Sequence, residues 1–541
     1  MKDSMNIEQA IGQKLLLAFT GKDKPSDEIV HAVREYKASG ITFFRSLNID
    51  EPVQVRQLTE SLQRLARDLN LPPLLIATDQ EGGQLMAVGE GTTQLPGNMA
   101  LGATGSADLA RRAGEVLGRE LSAMGINVNY APSVDVNLNP QNPVVGTRSF
   151  GENPSVVADL ASAMIQGIQS QGVAATAKHF PGHGDTASDS HHGLPSVPHS
   201  LERLQAVELI PFQAAIQAGV KLMMTAHLAL PALDGPDAPP ATLSRNILHN
   251  LLRKELGFEG VSITDAMDMH AVRQGEFLGE DAVRAVNAGA DLLLLTSDPS
   301  DQERVYRSLM QAAQTGSLDL DEIKASAQRI QSLKDWLAKK FSMPELSVIG
   351  CSEHQKVADE IAEASITLVR DQANLLPLHL EANQRIAVVI PKPQDLTPAD
   401  TSSYIAPALA HSLRAFHQYV DEFVIPYAPT ESDISALLLH LKDYHHIVVG
   451  TLNAYTQTGQ QTLVRETLKT GIPTIVVALR LPYDLAAFPE APTYLCTYSI
   501  LEPSMRALAK EVFGHGEIKG RLPVAIPGLY EAEYHLVPRL P

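Results

Sequence analysis

Apolar residues in the first 300 positions gather into short, nearly unbroken runs with polar, helix-length stretches between them. The runs are Lys14–Phe19, Ile41–Phe44, Leu74–Thr78, Ile126–Ala131, Ala174–Ala177, Leu222–Thr225, Val261–Thr264 and Leu292–Leu295. Each has the length of a strand and several are β-branched, the pattern of parallel strands buried on both faces. The segments Val53–Leu69, Ser106–Met124, Val156–Gln171 and Leu201–Ala218 carry apolar residues at helical spacing. Strands alternating with helices imply a parallel α/β fold, and eight of them fit a (β/α)8 TIM barrel.

The rhythm changes near residue 340. Lys334–Phe341 holds the only tryptophan, and Met343-Pro344 interrupts the pattern. A helix-like stretch, His354–Ala364, leads into Ile366-Thr-Leu-Val-Arg370 and a turn at Leu376-Pro377-Leu378. Three further apolar runs follow, Ile386–Ile390, Ile447–Val449 and Ile475–Leu479. The expected organisation is a barrel domain over 1–345, a linker helix over 346–365 and a smaller α/β domain over 366–541. The Pro-rich stretch Pro231–Pro240 reads as a surface loop of the barrel.

Composition narrows the partners more than the chemistry. The 541 residues are 44% hydrophobic and 19% charged, enough apolar material for more than one core. A net charge of -19 disfavours nucleic acid and anionic membranes as partners. Two cysteines, Cys351 and Cys496, can build neither a disulfide framework nor a thiolate zinc cage. The run at Lys14–Phe19 is too short for a signal-peptide core, and none reaches the ~20 residues of a membrane span. A cytoplasmic protein is expected. Oligomeric state is not legible.

The chemistry lies at the C-terminal ends of the predicted strands, where barrels build their active sites: Asp79, Asp135, Lys178 with His179, His227 and Asp265. The densest segment is Lys178-His-Phe-Pro-Gly-His-Gly-Asp-Thr-Ala-Ser-Asp-Ser-His-His192. It admits three readings. Asp189 and His191 are two apart and can pair in an extended loop, the carboxylate fixing one imidazole nitrogen and raising the basicity of the other. His183, Asp185, His191 and His192 can instead be metal ligands. The runs ending at Phe19 and Phe44 lack the His-x-His pair such a site usually draws on, so no metal and no cofactor are expected. The third reading is a set of solvated histidines. Asp265 follows Val261-Ser-Ile-Thr264, placed either as a partly desolvated nucleophile or as the N-cap of a following helix. Asp268 reads as helix surface or as support behind Asp265. Asp79-Gln-Glu-Gly-Gly83 offers a carboxylate to neighbouring hydroxyls, and the turn Gly146-Thr-Arg148-Ser-Phe-Gly-Glu152 offers a guanidinium fork.

Taken in order, Phe44-Arg45, Asp79-Gln-Glu-Gly-Gly83, Arg148-Ser-Phe-Gly-Glu152, Lys178-His-Phe-Pro-Gly-His-Gly184, Asp189-Ser-His191 and Thr264-Asp265 resemble glycoside hydrolase family 3, in its bacterial β-N-acetylglucosaminidase branch. Ile366–Leu378 and Gly520-Arg-Leu-Pro-Val524 resemble the family's second, αβα-sandwich domain. The resemblance implies a retaining hydrolase of terminal β-linked N-acetylglucosamine, acting on peptidoglycan fragments or small conjugates. It implies that Asp265 is the nucleophile and His191, backed by Asp189, the acid/base. It further implies that Asp79, Arg148, Lys178, His179 and His227 hold the sugar. Gln84 departs from an arginine frequent in relatives, which weakens any contact to an anionic part of the substrate. The alternatives are a β-N-acetylglucosaminide phosphorylase, a β-glucosidase-type member and a metal-dependent hydrolase. A histidine acid/base is neutral after the first half-reaction and would repel phosphate less than a carboxylate does.

Overall fold

The computed structural model describes residues 7–187, 193–273 and 277–536. Eight parallel strands form the first sheet: β1 (Leu15–Leu17), β2 (Gly40–Phe43), β3 (Leu75–Thr78), β4 (Val128–Asn129), β5 (Ala174–Phe180), β6 (Leu222–Thr225), β7 (Val261–Thr264) and β8 (Leu293–Leu295). Their order is β8-β1-β2-β3-β4-β5-β6-β7, and every neighbouring pair is parallel. The ring closes where Ile263 bridges Leu292 and Thr264 N donates to Leu292 O at 3.0 Å. Each strand falls within or overlaps one of the apolar runs. The expected barrel is present.

Near-continuous apolarity is required because both faces of each strand are dry. Leu16, Leu75, Ala77, Val128, Leu222 and Ile263 point inward and form one core. Their neighbours Leu15, Leu17, Ile76 and Met223 belong to the larger core shared with the surrounding helices. The period of two thus divides one apolar run between two layers. Helices Pro154–Ser170 and Pro299–Thr315 begin with proline after Asn153 and Asp298, whose side chains accept from the first-turn N–H groups. The helix expected over Leu201–Ala218 is broken into Leu201–Ala206 and Leu209–Gln217. Pro211 is the cause: its ring displaces the carbonyl of Val207, and it has no N–H to donate there. The helix Leu320–Lys340 sets Ile330, Leu333 and Leu337 against the inward-facing core and plugs the N-terminal end.

A second sheet contains β9 (Thr367–Asp371), β10 (Ile386–Pro391), β11 (Val420–Ile425), β12 (His446–Thr451), β13 (Thr474–Ala478) and β14 (Thr493–Cys496), in the order β9-β14-β13-β12-β10-β11. All pairs are parallel except β9 with β14. The helix Ser352–Ser365 runs between the sheets and packs on Asn98–Thr104 of the first unit and Glu502–Val512 of the second. Cys351 and Cys496 are free thiols. Among the described residues no helix is long and apolar enough to cross a membrane.

Candidate active site

A cavity of about 630 Å³ opens at the C-terminal end of the barrel. Asp79, Arg148, Lys178, His179 and Asp265 all line it. Asp189 and His191 lie outside the described residues, which break off at 187 and resume at 193.

The polar wall is one connected network. Gln80–Gly82 is extended, so Asp79 and Glu81, two apart, present their carboxylates to the same side. Lys178 Nζ, almost fully buried, lies 2.5 Å from Asp79 Oδ1 and 2.6 Å from Glu81 Oε1. Arg148 grips Glu81 with both arms, Nε at 3.0 Å and Nη2 at 2.7 Å. Burial alone would raise the Glu81 pKa, but Arg148 and Lys178 outweigh it and hold it at about 2. Burial would likewise strip the proton from Lys178, yet Asp79 and Glu81 raise its pKa above the usual lysine value. Glu81 and Lys178 are therefore both held in their charged forms at neutral pH.

The histidine end is equally fixed. Asp135 is fully buried; its Oδ2 lies 2.7 Å from His179 Nδ1, and its Oδ1 accepts from His183 N at 2.7 Å. Burial opposes its ionisation, but His179 and His183 hold its carboxyl below the usual range. Arg148 Nη2 lies 3.3 Å from His179 Nε2. A guanidinium only donates, so Nε2 is the acceptor and Nδ1 carries the hydrogen toward Asp135. His183 also lines the cavity, with Nδ1 2.8 Å from Thr186 Oγ1, and burial followed by the nearby His179 lowers its pKa.

Asp265 is half-buried at the end of β7, and its Oδ1 accepts from Ala266 N at 2.8 Å. No helix starts there. Residues 267–272 run through turns, and among the described residues the next α-helix is Leu278–Ala288. The helix-cap alternative is thereby overturned. Asp268 is exposed on one of those turns at the cavity rim, not on a helix.

His227 lies behind the cavity wall. It is fully enclosed and absent from the cavity lining, with Nδ1 2.8 Å from Thr242 Oγ1 and Nε2 3.0 Å from Ala266 O. It braces the residue following Asp265. Of the proposed metal ligands, Asp185 Oδ2 sits 2.6 Å from His199 Nε2 and groups with Glu208, away from His183. Arg203 Nη1 already bonds both Glu208 oxygens at 2.8 Å, so this cluster reads as an ion-pair network.

Three parts of the site escaped the sequence. Glu81 stood inside a recognised motif without a role, although its two-residue spacing from Asp79 was the available signal. Asp135 follows a predicted strand, but nothing in the sequence assigns it a role in the site. The third part comes from the second unit: Asp395, Pro398, Asp400, Thr401 and Tyr404 complete the cavity wall. That loop follows β10 directly. Thr401 N donates to Gln84 O at 2.8 Å, and Arg480 reaches both Asp400 and Gln84. Gln84, the departure from the family pattern, thus ties the two units together, and Arg45 lies over the Tyr404 ring at 4.0 Å.

A barrel whose C-terminal cavity gathers carboxylates, a lysine, an arginine and histidines has the polar lining a polyhydroxylated substrate needs. Residues 6–333 match the Glycosyl hydrolase family 3 N terminal domain. The chain is 32% identical to "Beta-hexosaminidase A" of Pseudoalteromonas piscicida, covering 96% of this chain and 97% of that one. The solved family 3 β-N-acetylglucosaminidase of Paenibacillus sp. str. FPU-7 superposes with a TM-score of 0.90 at 38% identity, over 96% of this chain and 98% of that one. A solved β-glucoside phosphorylase gives a TM-score of 0.80 at 26% identity, over 96% and 94% of the respective chains. The chain belongs to glycoside hydrolase family 3.

Proposed function

We propose that the protein is a retaining β-N-acetylglucosaminidase that removes terminal β-linked N-acetylglucosamine, with peptidoglycan fragments or small conjugates as substrates. The observation that carries the reading is that Asp265 faces the same cavity as the Asp79–Lys178–Glu81–Arg148–His179 network. In this reading the Asp265 carboxylate attacks the anomeric carbon while His191, oriented by Asp189, protonates the departing oxygen. Water, deprotonated by the same histidine, then releases the sugar from the glycosyl-enzyme. Asp79 and Lys178 accept from and donate to ring hydroxyls. Glu81 and Asp135 touch no sugar and hold Lys178, Arg148 and His179 in place.

Release of nitrophenol from the N-acetylglucosaminide and from the glucoside separates this reading from a β-glucosidase. Proton NMR of the first-formed anomer tests retention, and an α product would overturn it. His191→Ala is expected to spare nitrophenyl substrates more than natural glycosides, because a good leaving group needs little acid help. Equal losses would remove His191 from the acid role. The likeness to a phosphorylase supports a second reading, phosphate in place of water. Formation of N-acetylglucosamine 1-phosphate in phosphate buffer would establish it, and its absence would remove it.

A further inference from the structure

The second sheet has a ligand-binding address of its own. Strand β10 pairs with β11 on one side and β12 on the other, so the chain leaves β10 in one direction and returns on the opposite side. In open parallel sheets the crevice off the C-terminal ends of such a strand pair is where ligands bind. A cavity of about 360 Å³ lies there, within the ~300–1,000 Å³ range of small-ligand sites. Gln394 and Asp395 follow β10, Tyr427 follows β11, and Asn453 and Tyr455 follow β12. Barrel residues 140–143 form the facing wall, so the crevice is bounded by both units.

Its chemistry differs from that of the catalytic cavity. Among the described residues no lysine, arginine or histidine lines it, whereas two carboxylates do, Asp395 and Asp484. An anionic ligand would find no counter-charge. What the walls offer is tyrosine rings and amides, apolar faces beside neutral donors and acceptors, a combination suited to a neutral polyol. Tyr455 and Tyr483 have ring centroids 6.0 Å apart and tilted by 52°.

These groups are held before any ligand arrives. Asp484, fully buried, accepts from Tyr455 N at 2.9 Å and from Thr451 Oγ1 at 2.6 Å. Asn137 Nδ2 donates to the Tyr483 hydroxyl at 2.9 Å. Asn453 has a left-handed backbone, φ 62°, and its side-chain Oδ1 has no hydrogen-bond partner among the described residues. Gln457 is the N-cap of helix Thr458–Lys469, yet its amide makes no capping bond and remains available to the crevice. We infer that this crevice is a second saccharide-binding site, taking a neutral sugar residue. Asp395 lines both cavities, so the sugar can belong either to a separate glycan or to the far end of a chain held in the catalytic cavity.

Calorimetric titration of chitotriose into full-length Asp265→Ala reads binding without turnover. The inference uses the N-acetylglucosaminidase reading only to choose this probe. A second binding event is expected, lost on adding Tyr455→Ala with Gln457→Ala. The same pair in the active protein should leave kcat on the nitrophenyl N-acetylglucosaminide within about twofold. Gln141→Trp, at an exposed position of the barrel wall, fills the crevice without disturbing Tyr455 and should give the same loss. A single event weakened about tenfold by either change for chitotriose, but not for free N-acetylglucosamine, means that one chain spans both cavities and still seats a sugar here. A single event that neither change affects, for either probe, overturns the proposal.

Discussion

Both ends of the barrel bury lysines, and the two ends treat them oppositely. At the N-terminal end Lys14 Nζ bonds Ser326 Oγ at 2.7 Å, and Lys334 Nζ bonds Gln13 Oε1 at 2.8 Å and Ser39 O at 3.0 Å. These are neutral acceptors. Burial therefore dominates and lowers the two lysines to about 8 and about 7, with Asp291 partly opposing the fall at Lys14. At the C-terminal end Lys178 is as deeply buried, but it faces two carboxylates and is held charged. A buried lysine alone therefore says nothing about function. The difference lies in whether its partners also face a cavity, as Asp79 does.

The sharpest test of that contrast is Asp265→Ala. We expect a loss of turnover on the order of 10³-fold or more, with no shift in melting temperature, since Asp265 is only half-buried at the rim. A large drop in melting temperature would make it a structural residue. Lys178→Met comes next. It leaves the buried Glu81 short of a counter-charge, which should cost about 3–5 kcal/mol in denaturant unfolding as well as activity. Activity lost without any stability change would mean that Lys178 acts only on the substrate.

The barrel was legible because its strands are dry on both faces and read as unbroken apolar runs. In the second unit the same signal gave β9, β10, β12 and β13 but missed β11 and β14. Strand β11 lies at the sheet edge and reads Val-Asp-Glu-Phe-Val-Ile, with exposed positions between buried ones. Strand β14 is four residues long and directly follows Pro492. Strand-end position located Asp79, Lys178, His179 and Asp265, because chain order in a barrel fixes which end a residue occupies. It says less about His227, because strand-end position does not fix which way a ring turns, and this one bonds Thr242 Oγ1 and Ala266 O. The loop with Asp395 and Tyr404 was invisible for a different reason: its approach to the barrel depends on how the units dock, which no local pattern encodes.

Glu81→Gln tests the C-terminal cluster through pH. The folded pKa, about 2, lies below that of an unfolded glutamate, so the stabilisation is complete above about pH 4.5 and disappears as pH falls toward 2. Wild type should exceed Glu81→Gln by about 3 kcal/mol at pH 6, the gap closing on acidification. A gap independent of pH would mean that the effect is packing, not charge.

The last test belongs to the opposite end and the opposite side of the pH scale. Between pH 7 and 10.5 an unfolded chain keeps the Lys334 proton while the folded protein, with a pKa of about 7, releases it. Raising the pH over that window therefore favours the folded state of wild type by up to about 1.4 kcal/mol per unit, a term absent from Lys334→Met. At pH 7 and below the lysine carries its full burial penalty, so the variant should then compare best with wild type. Denaturant titrations of both proteins at pH 7 and pH 9.5 measure the change directly. A difference that stays constant would mean that Lys334 keeps its proton throughout. The barrel's two ends would then differ in their partners without differing in charge.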